Sequence, residues 1–358
     1  MYFTSLKADG FRNLKSVDLS FSEQFMFFLG ENGSGKTSVL EALYFLSHAK
    51  SFRVSNLKKL ISNSADEFSL FSCLGSDAGT SKIGVSRSSS GRQKIKYNGD
   101  VLSGIASVSK DVPVQFLDTD AHRCFADAPS NRRKFLDWGV FHVEHSYSRS
   151  WQSYQKVLRQ RNAMLKFGSS EDEMSAWTSQ LAELGDIITE NRSVYVDGFI
   201  DVFNSVWVEL MPSMELPQIE FSKGWVGDNL LGSLLSCSDQ DRRFGYTTCG
   251  PHRCDLKIFT DGAEVFDYYS QGQQKALTYA LKVAQGIYLK KLTGREVVYL
   301  IDDLPAELDN IRLSAVLELL ANHASQVFIT AIEKKDSFDF VGQGSACFDV
   351  TDGFVKSI

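Results

Sequence analysis

Residues 30–37 read Gly30-Glu31-Asn32-Gly33-Ser34-Gly35-Lys36-Thr37, a complete G-x-x-x-x-G-K-[ST] phosphate-binding loop. The apolar run Phe25 to Leu29 leads into it as a short buried strand. The stretch from Thr37 to Ser47 leaves it as a helix, with Leu40, Leu43, Tyr44 and Leu46 on one broad face. Strand, glycine loop and helix therefore follow in the order the chemistry needs. Gly33 and Gly35 let backbone N–H groups wrap phosphate oxygens, and the helix adds its positive end. Lys36 is suited to the terminal phosphates and Thr37 to a magnesium ion. A glycine turn before an ordinary helix is the bland alternative, and the strand-to-helix context argues against it. ATP and Mg2+ are the expected cofactors.

A second strand, Val297 to Ile301, ends in Asp302-Asp303. Two acids after a strand are often a solvated turn. Paired with a phosphate loop they read as a magnesium-holding acid, Asp302, and a general base, Asp303, with Lys36 as the third catalytic group. Between the two motifs stands Ser270-Gln271-Gly272-Gln273, directly before a helix that runs from Gln273 to Leu292. Ser270 alone reads as a helix cap. One phosphate loop already has its own helix terminus, so Ser270, Gly272 and Gln273 at a second one suggest a nucleotide shared between two copies of the chain.

The rest of the chain fits an α/β sheet with an insertion. Phe3 to Lys7 and Val17 to Phe21 read as strands, Ser69 to Leu102 as an antiparallel meander with turns at Asp77-Ala78-Gly79, Ser90-Gly91 and Asn98-Gly99, and Val112 to Leu117 as an apolar strand. From Asn131 to about Val208 the texture is helical, with a break at Gly168-Ser169-Ser170 that allows two antiparallel helices, Ser148 to Phe167 and Glu171 to Val202. β-like sequence returns at Pro217 to Phe221 and Phe244 to Thr260. After the Val297 strand come a helix, Ile311 to Ala321, and a strand, Gln326 to Thr330. The expected domains are 1–130 and 246–358, two parts of one head, with 131–245 as a helical lobe.

Composition limits the partners. A net charge of -6 confines any DNA contact to local patches. No apolar stretch is long enough to cross a bilayer, and no secretory leader is evident, so a cytoplasmic protein with no membrane partner is expected. The six cysteines, Cys73, Cys124, Cys237, Cys249, Cys254 and Cys347, contain no Cys-x-x-Cys pair. Cys249, His252 and Cys254 are spaced as a structural cluster more than as metal ligands.

The Ser-x-Gly-Gln stretch, the phosphate loop and the paired acids together resemble the ABC-type ATPases, whose heads sandwich ATP on dimerisation. Gln115 matches the position of their Q-loop glutamine, which implies a role for it in catalysis and at magnesium. Within that superfamily the chain resembles the RecF family over essentially its whole length. The residues that carry this are Phe11-Arg12-Asn13, the phosphate loop through Leu43, Phe135-Leu136-Asp137-Trp138, Arg159-Gln160-Arg161-Asn162, Gly250-Pro251-His252-Arg253, Ser270 to Gln273, and Ile301-Asp302-Asp303 with Glu307-Leu308-Asp309.

The resemblance implies a P-loop head with an associated β meander, plus an inserted mainly helical lobe in place of a long coiled coil. It also implies that Arg12, Asn13 and Ser38 join the loop in binding nucleotide. The implied activity is an ATP-driven dimer on gapped or junction DNA. With RecO and RecR it would help place RecA on single-stranded DNA in recombinational repair, replication restart and SOS induction, with slow DNA-stimulated hydrolysis as a release timer. Cys254 and Pro305 depart from the family pattern. Pro305 fixes its own φ and restricts Leu304, which stiffens the loop towards Glu307.

Several residues carry weaker expectations. His252 suits a structural turn more than a catalytic base. Thr330 follows the last strand where transporter-type relatives place a histidine, and is expected near the γ-phosphate. For DNA the candidates are Lys58-Lys59, Arg87 with Arg92, Lys94 and Lys96, Arg132-Arg133-Lys134, and Arg149 through Arg161. Nothing resembles a recognition helix or stacking platform, so backbone-directed binding is expected. The alternatives are a transporter ATPase subunit, which the long helical insertion disfavours, and a nucleotide-switched binder whose hydrolysis only resets a dimer.

Overall fold

The structure, a computed structural model, describes residues 1–117, 125, 128–168, 170–304, 308–333 and 344–358. Cys124, Pro305 and Glu307 lie outside them. The chain divides into two compact units. One comprises Met1–Ala121, Glu209–Met211 and Lys275–Ile358, the other His122–Val208 and Pro212–Gln274.

The first unit is built on two sheets. Its central sheet has the strand order Phe354–Ser357, Ser345–Thr351, Phe25–Leu29, Ala324–Ala331, Val297–Ile301, Val114–Leu117. All neighbours run parallel except the first pair, an antiparallel hairpin at the edge. Inner parallel strands are covered on both faces, which is why Phe25 to Phe28 and Val297 to Ile301 are unbroken apolar runs and fully buried. The phosphate-loop strand and the paired-acid strand do share this sheet, with Ala324–Ala331 between them. The second sheet is antiparallel and contains the expected meander, Glu67–Ser76, Gly79–Ser88, Gln93–Tyr97 and Asp100–Leu102, joined to the N-terminal strands.

The sheets are joined by aromatic packing and one buried amide. Phe328 meets Phe3 and Phe21 edge-on, while Phe28 stacks on Phe348 at 5.1 Å within the central sheet. Gln326 accepts the Phe3 N–H through Oε1 at 2.8 Å and donates Nε2 to the Phe3 carbonyl at 2.7 Å. A side chain thus does the work of a strand neighbour and leaves neither backbone group unpaired. The C-terminal hairpin escapes the sequence reading, as does helix Ala106–Asp111, whose six residues are too few for helical periodicity to register.

The second unit has helices Pro129–Val143, Tyr147–Phe167 and most of Glu171–Leu210. The third runs longer than expected because Tyr195, Phe199, Phe203 and Trp207 recur every four residues and stack in a ladder at 5.9–6.2 Å. The unit also claims the strand Asp255–Thr260, which pairs antiparallel with Gln218–Ser222. Arg132 grips Asp255 with two hydrogen bonds of 2.8 Å. The boundary expected at 245 therefore falls after Gln274, and the Ser270 stretch belongs with this unit.

Arg192, fully buried, organises the unit. It donates to Asp137, to the Tyr147 hydroxyl and to the Pro251 carbonyl, and stacks over Trp151 at 4.8 Å. Asp137 and Pro251 come from the family-like stretches named above. Removing the guanidinium strands the Tyr147 and Pro251 acceptors and leaves the partly buried Asp137 carboxylate without its cation, so Arg192→Ala is expected to cost about 3–5 kcal/mol in a urea titration. A loss under about 1 kcal/mol would contradict this role.

Candidate nucleotide site

The loop that follows Phe25–Leu29 encloses one side of a cavity of about 430 Å³ within the first unit. Gly35, at φ +120, is the N-cap of helix Lys36–His48, and no side chain among the described residues caps that helix. A side chain at this φ would be strained, and the uncapped end leaves N–H groups to an anion. Lys36 is largely buried, its ammonium 2.6 Å from the Gly30 carbonyl and 2.9 Å from that of Glu31. Burial lowers its pKa, and the Asp303 and Asp302 carboxylates oppose that shift. The Ser34 hydroxyl is buried with no hydrogen-bond partner among the described residues. Uncapped N–H groups beside the Lys36 ammonium fit a ligand rich in acceptor oxygens.

Opposite the loop, Asp302 receives two hydroxyls. Thr37 Oγ1 lies 3.0 Å from each carboxylate oxygen, and Thr330 Oγ1 donates to Oδ1 at 2.6 Å. Thr330 also accepts the Asp303 N–H at 2.9 Å. Asp303 sits at φ +53, where a non-glycine residue costs on the order of 1 kcal/mol or more. Thr330, fully buried within its strand, therefore fixes Asp302 and stabilises the turn that presents Asp303. Its hydroxyl donates to one of these neighbours and accepts from the other. The Thr37 hydroxyl and the Asp302 carboxylate form an all-oxygen donor set, which suits a hard cation such as Mg2+.

The loop is braced from outside. Asn13 donates to the Gly33 carbonyl at 3.1 Å and accepts from the Ser38 hydroxyl at 2.8 Å. Arg12 lines the cavity, but its guanidinium is bidentate to buried Glu41 at 2.7 and 2.8 Å and reaches the Lys59 carbonyl. A further brace comes from the hairpin turn at Asp352-Gly353. Gly353 donates its N–H to the Ser34 carbonyl and accepts from the Lys15 N–H, both at 2.8 Å. Gly353 has φ +82, and a Cβ there would strike the Asn13 carbonyl at 1.9 Å. The Asp-Gly pair after an apolar strand was the signal available in the sequence.

The cavity gathers Arg12, Asn13, Asn32, Gly33, Gly35, Lys36, Thr37, Ser38, Asp302, Asp303 and Thr330 from the expected residues, and adds Arg53. Gly30, Glu31 and Ser34 serve it as loop backbone. Gln115 is a correction. It sits inside strand Val114–Leu117, is buried, and donates its amide to Gln285 at 2.9 Å, so its side chain does not line the cavity. In the second unit, Ser270 and Gln273 form a reciprocal capping box. The Gln273 side chain accepts the Ser270 N–H at 2.8 Å, and Ser270 Oγ accepts the Gln273 N–H at 3.4 Å. Ser270 is exposed and Gly272 partly so.

Other candidates prove internal. His252 has its Nδ1 2.7 Å from the Tyr154 hydroxyl and its Nε2 3.1 Å from the Thr247 carbonyl, and burial lowers its pKa to about 4. It is structural. Among the described residues no group of three or more His, Cys, Asp or Glu side chains is placed to hold a metal, the Cys249–His252–Cys254 stretch included. Arg161 is buried against Asp241 at 2.7 Å and Arg132 against Asp255, so neither is free for a phosphate backbone.

Comparison with known proteins adds to this geometry. The RecF/RecN/SMC N terminal domain family matches residues 2–341. The DNA replication and repair protein RecF of Vibrio parahaemolyticus is 35% identical over 97% of both chains. That of Shewanella oneidensis is 35% identical over 93% of this chain and 92% of its own. A structure of the recombination mediator protein RecF with ATP, from the RecFOR pathway, aligns with a TM-score of 0.87 at 29% identity, covering 100% of this chain and 97% of that one. An Smc head domain of Pyrococcus furiosus, bound to the C-terminal domain of ScpA, aligns at 0.61 and 16%, a likeness of fold.

Two outcomes test the site. Thr330→Val removes, at constant size, the charge-assisted hydrogen bond to Asp302 and the acceptor for the Asp303 N–H, and is expected to lower ATP turnover about tenfold or more at a stability cost of about 1–3 kcal/mol that leaves the protein folded. Unchanged turnover would contradict the assignment. Gly353→Ala is expected to weaken binding of a fluorescent ATP analogue about tenfold by displacing the loop. Affinity equal to the parent's would show that the turn does not brace it.

Proposed function

This chain belongs to the RecF family, with the ABC-type ATPase head fold, and on that premise we propose that it is an ATP-gated DNA clamp of recombinational repair. The observation that carries the proposal is the convergence of Thr37, Asp302, Asp303 and Thr330 beside an uncapped phosphate loop. In this reading the loop N–H groups and Lys36 hold the phosphates of ATP, with Asn13 and Ser38 keeping the loop in shape. Thr37 and Asp302 hold Mg2+, which when bound offsets phosphate charge. Asp303 orients and deprotonates the attacking water. Gln115, buried against Gln285, supports the strand rather than touching the reacting groups.

The exposed capping box at Ser270 to Gln273 completes the same site on a second copy of the chain, so ATP drives dimerisation. Hydrolysis is weak and DNA-stimulated, and it opens the dimer as a timer rather than driving movement. The clamp acts in the cytoplasm on gapped DNA or at junctions between single and double strands. It works with RecO and RecR in loading RecA. No helix among the described residues is long and apolar enough to cross a membrane, and no observation favours the transporter alternative.

Lys36→Met and Asp303→Asn separate binding from chemistry. Lys36→Met is expected to lose ATP binding and dimerisation together. Asp303→Asn is expected to bind ATP, form the dimer and lose turnover by about 100-fold or more. Wild-type hydrolysis by Asp303→Asn would mean that another group is the base.

A further inference from the structure

The two long helices of the second unit are segregated by charge. Helix Tyr147–Phe167 contains no acidic residue, whereas helix Glu171–Leu210 carries nine acidic residues and one cation, the buried Arg192. On the first helix Arg161 is buried, but Arg149, Lys156, Arg159 and Lys166 are all exposed. Their spacing of 7, 3 and 7 residues keeps them within an arc of about 100° and spreads them over about 26 Å. Gln152, Ser153 and Gln160 are also exposed on this helix and lie on or close to the same arc. None of the four cations makes an ion pair among the described residues.

The basic cluster on the antiparallel sheet is different. Lys94 and Lys96 face outward from the antiparallel sheet, but their face also carries Asp9 and Glu67, and its Lys7 is paired with Asp18 at 2.8 Å. Mixed signs on one face largely cancel beyond a Debye length. An unopposed row of cations does not, and a row this long suits successive phosphates on a nucleic-acid backbone. The acidic companion helix would repel the same backbone and so restrict it to one side.

We propose that the face of Arg149, Lys156, Arg159 and Lys166 is a sequence-independent contact for the phosphate backbone of duplex DNA. The inference rests on the DNA-binding function proposed above and adds where the backbone runs. The four side chains neutralise phosphates and displace counterions, and read no base.

The test is a salt titration of full-length protein with ATP and a gapped duplex, comparing the parent with Arg149→Gln, Lys156→Gln, Arg159→Gln and Lys166→Gln combined. Glutamine keeps the helix propensity, and basal ATP turnover without DNA should equal the parent's. The slope of log affinity against log salt is expected to fall by about 3–4, at about 0.9 for each phosphate that is no longer neutralised. A slope and affinity equal to the parent's would overturn the proposal. So would a loss confined to a Lys94→Gln, Lys96→Gln control. A parent that binds ATP but no DNA would overturn the DNA-binding function itself, and this inference with it.

Discussion

Asp302 accepts hydroxyls from Thr37, at the start of the phosphate-loop helix, and from Thr330, inside another strand. These residues are 265 and 28 positions away from it in sequence. Only a parallel sheet that sets Phe25–Leu29, Ala324–Ala331 and Val297–Ile301 side by side can bring them to one carboxylate. Loop closure over such separations is costly in entropy. That cost is met by the apolar strands themselves and by the phenylalanine packing around Phe328. The register in which Phe328 pairs with Met26 and Leu300 also sets Thr330 opposite the ends of both motifs.

Much of the head was legible because its signals are local. A glycine loop between an apolar run and a helical pattern, and a buried strand ending in two acids, each carry their meaning in a few residues. Burial and pairing partners are not local. Gln115 has the right residue type at a plausible distance from the loop, yet its position mid-strand directs the amide to Gln285. Thr330 is similar. Its polar character in an apolar strand was visible, but not that its hydroxyl would be shared between Asp302 and the Asp303 backbone. The Gly353 brace depends on Ser34 and Lys15, partners far away in sequence that no local signal reports.

The family-like stretches of the second unit have a physical reading as well. Asp137, Arg161 and Pro251 do not surround the cavity; they build internal ionic and hydrogen-bond networks on Arg192 and Asp241. Buried pairs of this kind give specificity of packing more than net stability. They also account for basic residues that the sequence offered as DNA contacts. Charge alone does not separate Arg161, paired inside the unit, from Arg159, exposed two positions earlier.

The central claim is that the phosphate loop is half of a site and that Ser270 to Gln273 of a second copy supplies the other half. Mixing two inactive variants tests it most directly. Lys36→Met lacks a working loop, and Ser270→Arg lacks a working partner surface, so each alone forms only defective sites. In a mixture, each dimer that pairs one of each contains one intact site of two. ATP turnover should then return, to at most about half of the parent's, on a symmetric two-site dimer. No recovery on mixing, with both variants folded, would contradict the shared site.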